Sequence, residues 1–442
     1  MYDTPQELGK YLDTRLECGC GRTHYVPIKG VEIGPGAIEK LPGYVKKLGY
    51  TKPLVLCDSI TYNIAAKRCG ELLAAAGIEP CVHVLTHLGF DEATLGEIVI
   101  NTPKGCDLIT DMTRYSSFKL RLPCFTVATG APMDGFAASI GIMNVNNLKA
   151  TMPAHCTEVI IGDTDILRTA PYRMTVAGFG DLIGKLTCLN DWELARIING
   201  EHYCASITRL VHECVSDILK EAPKIKERDP ETLGSVMRGL VLSGAAISLY
   251  GDSRPASGAE HHMSHYWETI LEQRGERPAM HGEQVAVGTV LVLMLIEELL
   301  KESVDFDAAR RAAGEYDYDA WEAEIRAHYG AAAGEVIEME KRVGKNDPAA
   351  RLRRIDSMEK NWDAVRTQLE SLPSADSLRA LLADIGCPCT PAQINVDDML
   401  LKETFLYCKE IRPRYTVFQT VYDLGLMDRL SDRVIARVNA EK

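Results

Sequence analysis

The stretch KPLVLCD at residues 52–58, followed by NIAAKRCGELLAAAG at 63–77, is the part of the sequence that decides the fold. The continuous apolar run PLVLC predicts a strand that is buried on both faces. The second stretch has helical periodicity and ends at Gly77, a residue type that commonly terminates helices. A buried strand that leads directly into a helix is the repeating unit of a parallel α/β sheet.

The same alternation continues along the first part of the chain. Further strands are predicted at EPCVHVLT (79–86), at LPCFTVATG (122–130) and at EVIIGDTDIL (158–167). From about Thr175 onward the strand patterns give way to long helical ones, such as TVLVLMLIEELLKE (289–302). We therefore predict an α/β domain with a mainly parallel sheet over residues 1–175, followed by an all-α C-terminal domain over residues 176–442.

Composition limits the classes of partner. The chain has 442 residues and a formal net charge of -13, which argues against nucleic acid and anionic membranes, because both attract clustered Lys and Arg. No run of 18 apolar residues occurs, and the N-terminus lacks the apolar core of a signal peptide. The 14 cysteines are then expected to be reduced thiols. These features predict a cytoplasmic protein.

The densest concentration of chemically active residues is GDSRPASGAEHHMSHYWE at 251–268. His261 and His265 are four positions apart and share a helix face, whereas His262 points elsewhere. With His281, four of the 11 histidines fall within 21 positions, a grouping that favours a metal site over ordinary core histidines. A three-ligand site also needs a carboxylate, and Asp181 in AGFGDLIGK is the best candidate, with a helix N-cap as the alternative role.

Three further segments have weaker signals. Asp134 in ATGAPMDGFAAS is suited to bind substrate hydroxyls, and a turn aspartate is an equal alternative. Asp58 ends a strand where an acid can bind a ribose hydroxyl, although turn-forming Asp is as common there. CGCGRTH at 18–24 brings Cys18, Cys20 and His24 together, but it lacks a second ligand pair, so a tight hairpin is favoured over a zinc site.

The quoted motifs, with SGAAISLY before the histidines, HGEQVAVG and KEIRPRYTVFQTVYDLG, resemble the bacterial sn-glycerol-1-phosphate dehydrogenases. That family is allied to the iron-containing alcohol dehydrogenases, glycerol dehydrogenase and dehydroquinate synthase, and the resemblance implies a dehydroquinate synthase-like two-domain fold. The resemblance also implies that Asp181, His261 and His281 bind a divalent metal (Zn, Ni or Fe). It implies that Asp134 and His265 contact the substrate and take part in catalysis. Arg254 and Lys149 are weaker candidates for contacts with the substrate phosphate.

The cofactor half departs from the family pattern. In CDLITDMTRY at 106–115, the strand runs directly into the next helix, and the glycine-rich turn usual in the family is missing. Such a turn brings backbone N–H groups onto the pyrophosphate of NAD(P). Gly130 also follows Thr129 where the family usually has Ala. We therefore predict that NAD(P) binding is lost or altered, with only residual contacts from Asp58 and Thr129.

These observations leave three functions, of which we predict the first and keep the other two as alternatives. The first is non-redox, metal-assisted carbonyl chemistry of the aldol, lyase or isomerase type on a small phosphorylated ketose or polyol. The second is a working NAD(P)-dependent glycerol-1-phosphate dehydrogenase that reduces dihydroxyacetone phosphate. The third is a catalytically silent binding protein. The predicted partner is a small phosphorylated substrate, without nucleic acid or membrane, and the number of chains in the assembly is left open as a monomer or a homo-oligomer.

Overall fold

The structure, a computed structural model, describes residues 9, 11–87, 89, 91–110, 114–145 and 148–440, and it describes no side chain between 142 and 151. The chain divides into two compact units, each built from two separate stretches. The first unit comprises Met1–Leu182 and Ser206–Ser253, and the second comprises Ile183–Ala205 and Arg254–Lys442. The predicted boundary near residue 175 stays a prediction, since the compact units interleave along the chain rather than meeting at one position.

All the strands of the described residues lie in the first unit. They are β1 (Leu16–Glu17), β2 (Thr23–His24), β3 (Gly30–Gly34), β4 (Pro53–Cys57), β5 (Cys81–Val84), β6 (Leu108–Thr110), β7 (Cys124–Val127), β8 (Ile140–Val145), β9 (Leu148–Pro153) and β10 (Val159–Asp163). Six of them form one sheet in the order β3-β10-β7-β6-β4-β5, with every neighbouring pair parallel. The predicted parallel α/β sheet is therefore confirmed.

The main helices of the first half of the chain surround this sheet or follow it in sequence. They are α1 (Leu41–Lys47), α2 (Ser59–Thr61), α3 (Lys67–Ala75), α4 (Glu92–Asn101), α5 (Arg114–Leu120), α6 (Thr164–Leu167), α7 (Tyr172–Ile183), α8 (Lys185–Asn199), α9 (Ala205–Glu221) and α10 (Pro230–Tyr250). A π-helical turn at Tyr62–Ala66 joins α2 to α3. The helix predicted after the first strand is therefore continuous from Ser59 to Ala75.

The rest of the chain is helical, as predicted. Its helices are α11 (Ala259–Gln273), α12 (His281–Leu300), α13 (Phe306–Gly314), α14 (Tyr318–Tyr329), α15 (Ala333–Val343), α16 (Pro348–Lys360), α17 (Trp362–Glu370), α18 (Ala375–Asp384), α19 (Asp398–Tyr407), α20 (Val417–Asp423) and α21 (Met427–Ala440). The apolar segment predicted as a buried helix lies in α12, where Val290, Leu293 and Leu295 are almost completely buried. This confirms a mainly helical C-terminal region.

Both faces of the sheet are covered, which explains why its strands read as continuous apolar runs. Along β4, Val55 packs in a cluster with Leu73 of α3. The neighbouring side chain of Leu54 points to the opposite face and packs in a cluster with Ile98 of α4. Consecutive residues of one strand thus contribute to two separate hydrophobic layers.

The helix α10 is long and apolar enough to cross a membrane if only its length and composition are considered. In the structure, 83% of its most apolar window is buried inside the protein. That burial is typical of the core helix of a soluble protein.

The second unit contains a buried group of charges where α19 leads into the segment before α20. Glu410 is 2% exposed, and its carboxylate contacts two ammonium groups, those of Lys409 and Lys345, the latter at 3.0 Å. Asn346 Nδ2 donates to the same carboxylate at 2.8 Å, and Trp321 Nε1 donates at 3.3 Å. Burial opposes ionisation of Glu410, but the two lysines lower the pKa of its carboxyl to about 2.

Two elements of the first unit are not among the strands predicted from sequence. The β8–β9 hairpin is antiparallel, with Asn144 paired to Lys149, and it lies outside the main sheet. The strand β3 pairs in parallel with β10 at the edge of the main sheet. Its sequence GVEIG contains two glycines and a glutamate, so it lacks the apolar run that marked the central strands.

Candidate functional site

Three histidines of the second unit lie together, as their spacing predicted. His261 and His265 are on α11, and His281 is the first residue of α12. The ring centroids are 6.1 Å apart for His261 and His265, 5.2 Å for His261 and His281, and 5.5 Å for His265 and His281. His262 is fully buried elsewhere, and neither ring nitrogen has a hydrogen-bond partner among the described residues.

Glu268, one helical turn after His265, orients two of these rings. Its carboxylate oxygens lie 3.2 Å from His265 Nδ1 and 3.2 Å from His281 Nδ1. Burial opposes ionisation of Glu268, but these hydrogen bonds hold the pKa of the carboxyl well below its usual range. An ionised carboxylate accepts hydrogen bonds, so each Nδ1 carries the proton and each Nε2 has the lone pair that a ligand needs.

Glu260 does the same for the third ring. Its Oε1 lies 2.7 Å from His261 Nδ1, and its Oε2 accepts a hydrogen bond of 2.6 Å from Thr187 Oγ1. Although Glu260 is fully buried, the hydrogen bonds from His261, Thr187 and Gly258 lower the pKa of its carboxyl. All three imidazoles are thus fixed in the tautomer that exposes Nε2, an arrangement typical of metal-ligating histidines.

The helix that carries His261 and His265 is held at its start by α8. Asp191 Oδ2 accepts a hydrogen bond of 2.7 Å from Ala259 N, and Asp191 Oδ1 accepts one of 2.7 Å from Val417 N. Gly258 is required here, since a Cβ at this position would lie 2.6 Å from the Cα of Cys188. The close approach of α8 therefore fixes where the histidine-bearing helix begins.

Burial keeps the imidazole of His265 in its neutral form. Burial lowers the pKa of its imidazole to about 4, and the neighbouring Glu268 opposes this effect only in part. The ring is therefore neutral at pH 7. Because its Nδ1 is held by Glu268 at 3.2 Å, its Nε2 is the nitrogen that can take up a proton.

The two predicted acids lie together in the first unit. Asp181 is fully buried on α7, and its Oδ2 accepts a hydrogen bond of 2.9 Å from the backbone N–H of Asp134. Asp134 Oδ2 in turn accepts a hydrogen bond of 2.7 Å from Ser243 Oγ on α10. Asp181 is therefore not a helix N-cap, because it stands near the end of α7 and ties that helix to the segment containing Asp134.

Two glycines allow this segment to approach both helices. A Cβ at Gly178 of α7 would lie 2.0 Å from the carbonyl oxygen of Ala131. A Cβ at Gly244 of α10 would lie 2.5 Å from the carbonyl oxygen of Asp134. The small residues that mark these stretches in the sequence are therefore needed for close backbone contact.

We expect Gly178→Ala to destabilise the protein by about 1–3 kcal/mol, the usual cost of forcing extra atoms into a packed contact. The added methyl group would push the carbonyl of Ala131, and with it the segment of Asp134, away from α7. Urea unfolding measures the change. Gly96→Ala in α4 is the matched control, since its Cβ would meet nothing within 4 Å. Equal stability of the two variants would contradict the packing argument.

The two predicted phosphate ligands have different outcomes. Arg254 is 3% exposed, and its guanidinium donates to both carboxylate oxygens of Glu201 and, at 2.8 Å, to the carbonyl of Tyr415. These bonds engage Nε, Nη1 and Nη2 of the guanidinium, so we do not carry Arg254 into the proposed mechanism. Lys149 lies on β9, but its side chain is outside the described part of the chain. Its role stays a prediction.

The predicted cofactor residues lie at the carboxyl ends of the sheet strands, where nucleotides bind in open α/β sheets. A cavity there is lined by the last residues of three strands, Cys57, Thr110 and Val127, together with Thr129. Asp58 caps the following helix, because its Oδ1 accepts hydrogen bonds of 2.7 and 2.6 Å from the N–H groups of Ile60 and Thr61.

The junction where the phosphate-binding turn was predicted to be lost lies outside the described residues. The strand β6 ends at Thr110 and α5 begins at Arg114, so the interpretation depends on residues 111–113, which the structure leaves undescribed. The loss of the turn therefore stays a prediction from the sequence.

The residues that orient the histidines were missed in the sequence. Glu268 follows His265 at a spacing of three positions, which places both on one helix face, so this partner could have been found. Glu260 is adjacent to His261 in the sequence, and residues next to each other on a helix do not normally face one another. Thr187 could not have been found, because it comes from a helix more than seventy positions away.

Comparison with known proteins identifies the class. The model for iron-containing alcohol dehydrogenases matches residues 32–171. Among solved structures, glycerol dehydrogenase from Schizosaccharomyces pombe superimposes with a TM-score of 0.60 at 16% identity, covering 93% of this chain and 92% of that chain. Sulfoacetaldehyde reductase from Bifidobacterium kashiwanohense, solved with NAD+, gives 0.58 at 13% identity and covers 93% and 98%. The fold is that of the iron-containing alcohol dehydrogenases.

Sequence relatives narrow the class further. Glycerol-1-phosphate dehydrogenase [NAD(P)+] from Methanosarcina barkeri is 33% identical over 280 residues, which is 60% of this chain and 76% of the relative. The enzyme of that name from Geobacillus stearothermophilus is 27% identical over 434 residues, 95% of this chain and 98% of the relative. The chain belongs to the glycerol-1-phosphate dehydrogenase family of metal-dependent dehydrogenases.

Proposed function

We propose that the protein is a metal-dependent, NAD(P)-linked dehydrogenase that interconverts dihydroxyacetone phosphate and glycerol 1-phosphate. The observation that carries the proposal is the group of three histidines, each held by a buried carboxylate so that Nε2 is the ligand nitrogen. Family membership supports the same reaction, since the relatives described above are named NAD(P)+ dehydrogenases. For this reason the non-redox carbonyl chemistry predicted from the sequence is no longer the favoured function. It is kept only as one outcome of the test below.

In this proposal His261 and His281 hold a divalent metal together with Asp181, the ligand set that the family resemblance implies. The residues fit such an ion, because imidazoles oriented by carboxylates and a buried aspartate are typical ligands of divalent metals. A metal held there would supply Lewis acidity toward the oxygen of a substrate carbonyl or hydroxyl group. Zinc, nickel and iron all accept this ligand set.

The remaining residues bind substrate and move a proton. Neutral His265 would accept the hydroxyl proton at Nε2 during oxidation and return it during reduction. Asp134, fixed by Ser243, would accept hydrogen bonds from substrate hydroxyl groups. The nicotinamide would exchange the hydride, and the cavity containing Thr129 at the carboxyl ends of the strands is the proposed place for its nucleotide. A cytoplasmic location and the absence of nucleic-acid and membrane partners belong to the same proposal.

Nicotinamide binding is the decisive test. With metal present, we expect NADH or NADPH to quench or shift protein fluorescence with a dissociation constant in the range of about 1 µM to 1 mM, the usual range for enzyme ligands. Addition of dihydroxyacetone phosphate should then oxidise the bound cofactor. Dihydroxyacetone, which lacks the phosphate, is the matched control substrate. Its kcat/KM should be lower by at least tenfold, because charge-assisted hydrogen bonds to phosphate are lost.

Two results would contradict the proposal. If neither cofactor binds but dihydroxyacetone phosphate is consumed, the protein performs the non-redox chemistry. If the purified protein neither contains nor takes up zinc, nickel or iron, it is a silent binding protein. Metal analysis and a search for bound phosphorylated metabolites by mass spectrometry distinguish these results.

A further inference from the structure

The N-terminal hairpin brings together two thiols and an imidazole that have no part in the proposed reaction. The strands β1 and β2 pair antiparallel, with Leu16 opposite His24, which confirms the predicted hairpin. Its turn is closed by a hydrogen bond of 3.0 Å from Gly21 N to the carbonyl of Cys18. In this arrangement Sγ of Cys18, Sγ of Cys20 and a ring nitrogen of His24 all lie within 4.8 Å of one another.

The imidazole of His24 is oriented as a metal ligand. Its Nδ1 lies 2.8 Å from the carbonyl oxygen of Leu249 near the end of α10, and a carbonyl only accepts hydrogen bonds. Nδ1 therefore carries the proton, and Nε2 keeps its lone pair. This Nε2 lies 3.3 Å from Cys20 Sγ, and His24 is 1% exposed. A buried histidine anchored through Nδ1 with Nε2 directed at a thiol is the usual arrangement beside a zinc ion.

The distances suit a tetrahedral ion. Bonds of about 2.3 Å to sulfur and about 2.0–2.1 Å to nitrogen place ligand atoms about 3.5–3.8 Å apart around zinc. The sulfur–nitrogen distance of 3.3 Å needs only a small outward movement to reach that value. Cys18 Sγ also lies 3.6 Å from Ser206 Oγ, a hydroxyl that can donate a hydrogen bond to a metal-bound thiolate.

We propose that Cys18, Cys20 and His24 bind a thiophilic divalent cation, zinc by preference, which fastens the N-terminal hairpin to the end of α10. Zinc takes four ligands in structural sites, so a fourth position remains for water or another side chain. In the sequence, Cys204 lies two residues before Ser206 and is the thiol to test for that position. The site is independent of the proposed reaction, because its ligands include none of the residues assigned to it.

Cobalt distinguishes this site from the histidine site, since only thiolates give intense sulfur-to-cobalt charge-transfer absorption. We expect the metal-stripped, reduced protein to develop this absorption with one equivalent of Co²⁺. His281→Ala should keep it, because that variant removes a ligand of the other site only. Cys20→Ser should lose it, with a fall in affinity of at least about a hundredfold, since even outer partners of a metal ligand contribute 10–100-fold. Cys81→Ser is the matched control and should behave as the unmodified protein.

A second measurement on the unmodified protein covers the case in which Cys20→Ser does not fold. Zinc should protect Cys18 and Cys20 from alkylation, as read by mass spectrometry, whereas Cys81 and Cys106 should react equally with and without zinc. Additional protection of Cys204 would identify it as the fourth ligand. The proposal fails if cobalt gives no thiolate absorption, if Cys20→Ser retains it, or if zinc leaves the alkylation of Cys18 and Cys20 unchanged.

Discussion

His281→Ala is expected to abolish metal binding at the histidine site and to lower kcat/KM for dihydroxyacetone phosphate by at least about a thousandfold. Removal of His281 leaves two proposed ligands, one fewer than the three protein ligands of catalytic metal sites. The Lewis acidity on which carbonyl reduction depends is then lost. The variant also removes one of the two rings held by Glu268, whose oxygen lies 3.2 Å from His281 Nδ1. Metal content by mass spectrometry and steady-state kinetics measure the two effects.

His328→Gln is the matched control for this experiment. His328 is a half-buried histidine of the same helical unit, and its ring stacks on Tyr407 at 4.1 Å between centroids. The ring contacts that the structure describes, with Tyr407, Glu324 and Glu403, include no residue assigned to the reaction. We expect this variant to keep both the metal and the activity. A His281→Ala protein that retains its full metal content and its activity would overturn the ligand assignment. A protein that retains its full metal content but loses activity would instead place His281 among the substrate contacts.

Glu410→Gln is expected to destabilise the protein by about 3–5 kcal/mol, because it removes the carboxylate that pairs with the buried ammonium groups of Lys345 and Lys409. The glutamine side chain has nearly the same shape as glutamate, so the variant removes the negative charge and leaves the packing unchanged. Chemical unfolding followed by circular dichroism measures it. Glu338→Gln is the control: Glu338 pairs with Lys341 on the surface, and exposed pairs contribute little. Equal unfolding midpoints for both variants would contradict the prediction.

The ion pairs of Glu410 with the two lysines also predict that the stability of the protein depends on pH. The carboxyl of Glu410 has a pKa of about 2 in the folded protein, below the value of about 4.3 for an unfolded glutamate. For a depressed carboxyl pKa, the stabilisation is complete above the unfolded pKa and is lost as pH falls toward the folded pKa. The stability difference between the unmodified protein and Glu410→Gln should therefore be constant from pH 6 to 8 and shrink between about pH 4 and pH 2. A difference that stays constant down to pH 2 would contradict this mechanism.

Local patterns predicted the elements that make up the sheet and the histidine site. The central strands were recognised because both of their faces are buried, so strands such as β4 are continuously apolar. His261 and His265 were paired because their spacing is a helical turn. The edge strand β3 has no such run, and the carboxylate of Glu260 turns toward the ring of its own neighbour, at 2.7 Å from Nδ1, a contact that no periodicity indicates.

Long-range partners account for the rest of what the sequence could not predict. Asp191 belongs to a helix whose sequence is typical of an ordinary buried segment. Its carboxylate nevertheless accepts hydrogen bonds from the backbone N–H groups of Ala259 and Val417. Arg254 is a weak phosphate candidate from the family resemblance, and no local pattern indicates the contact of its guanidinium with Glu201. In both cases the partner is distant in sequence, and composition alone does not select it.

The contacts of Asp191 also affect when the protein can fold during its synthesis. Its two backbone partners follow it in the chain by 68 and 226 residues. During translation α8 emerges well before either partner, and ribosomes add only about 5–20 residues per second. The helical unit, which begins at Ile183 and resumes at Arg254, therefore cannot close until nearly the whole chain has been synthesised. We expect nascent chains that stop before Val417 to hold the histidine-bearing helix to Asp191 through Ala259 alone and to depend on chaperones.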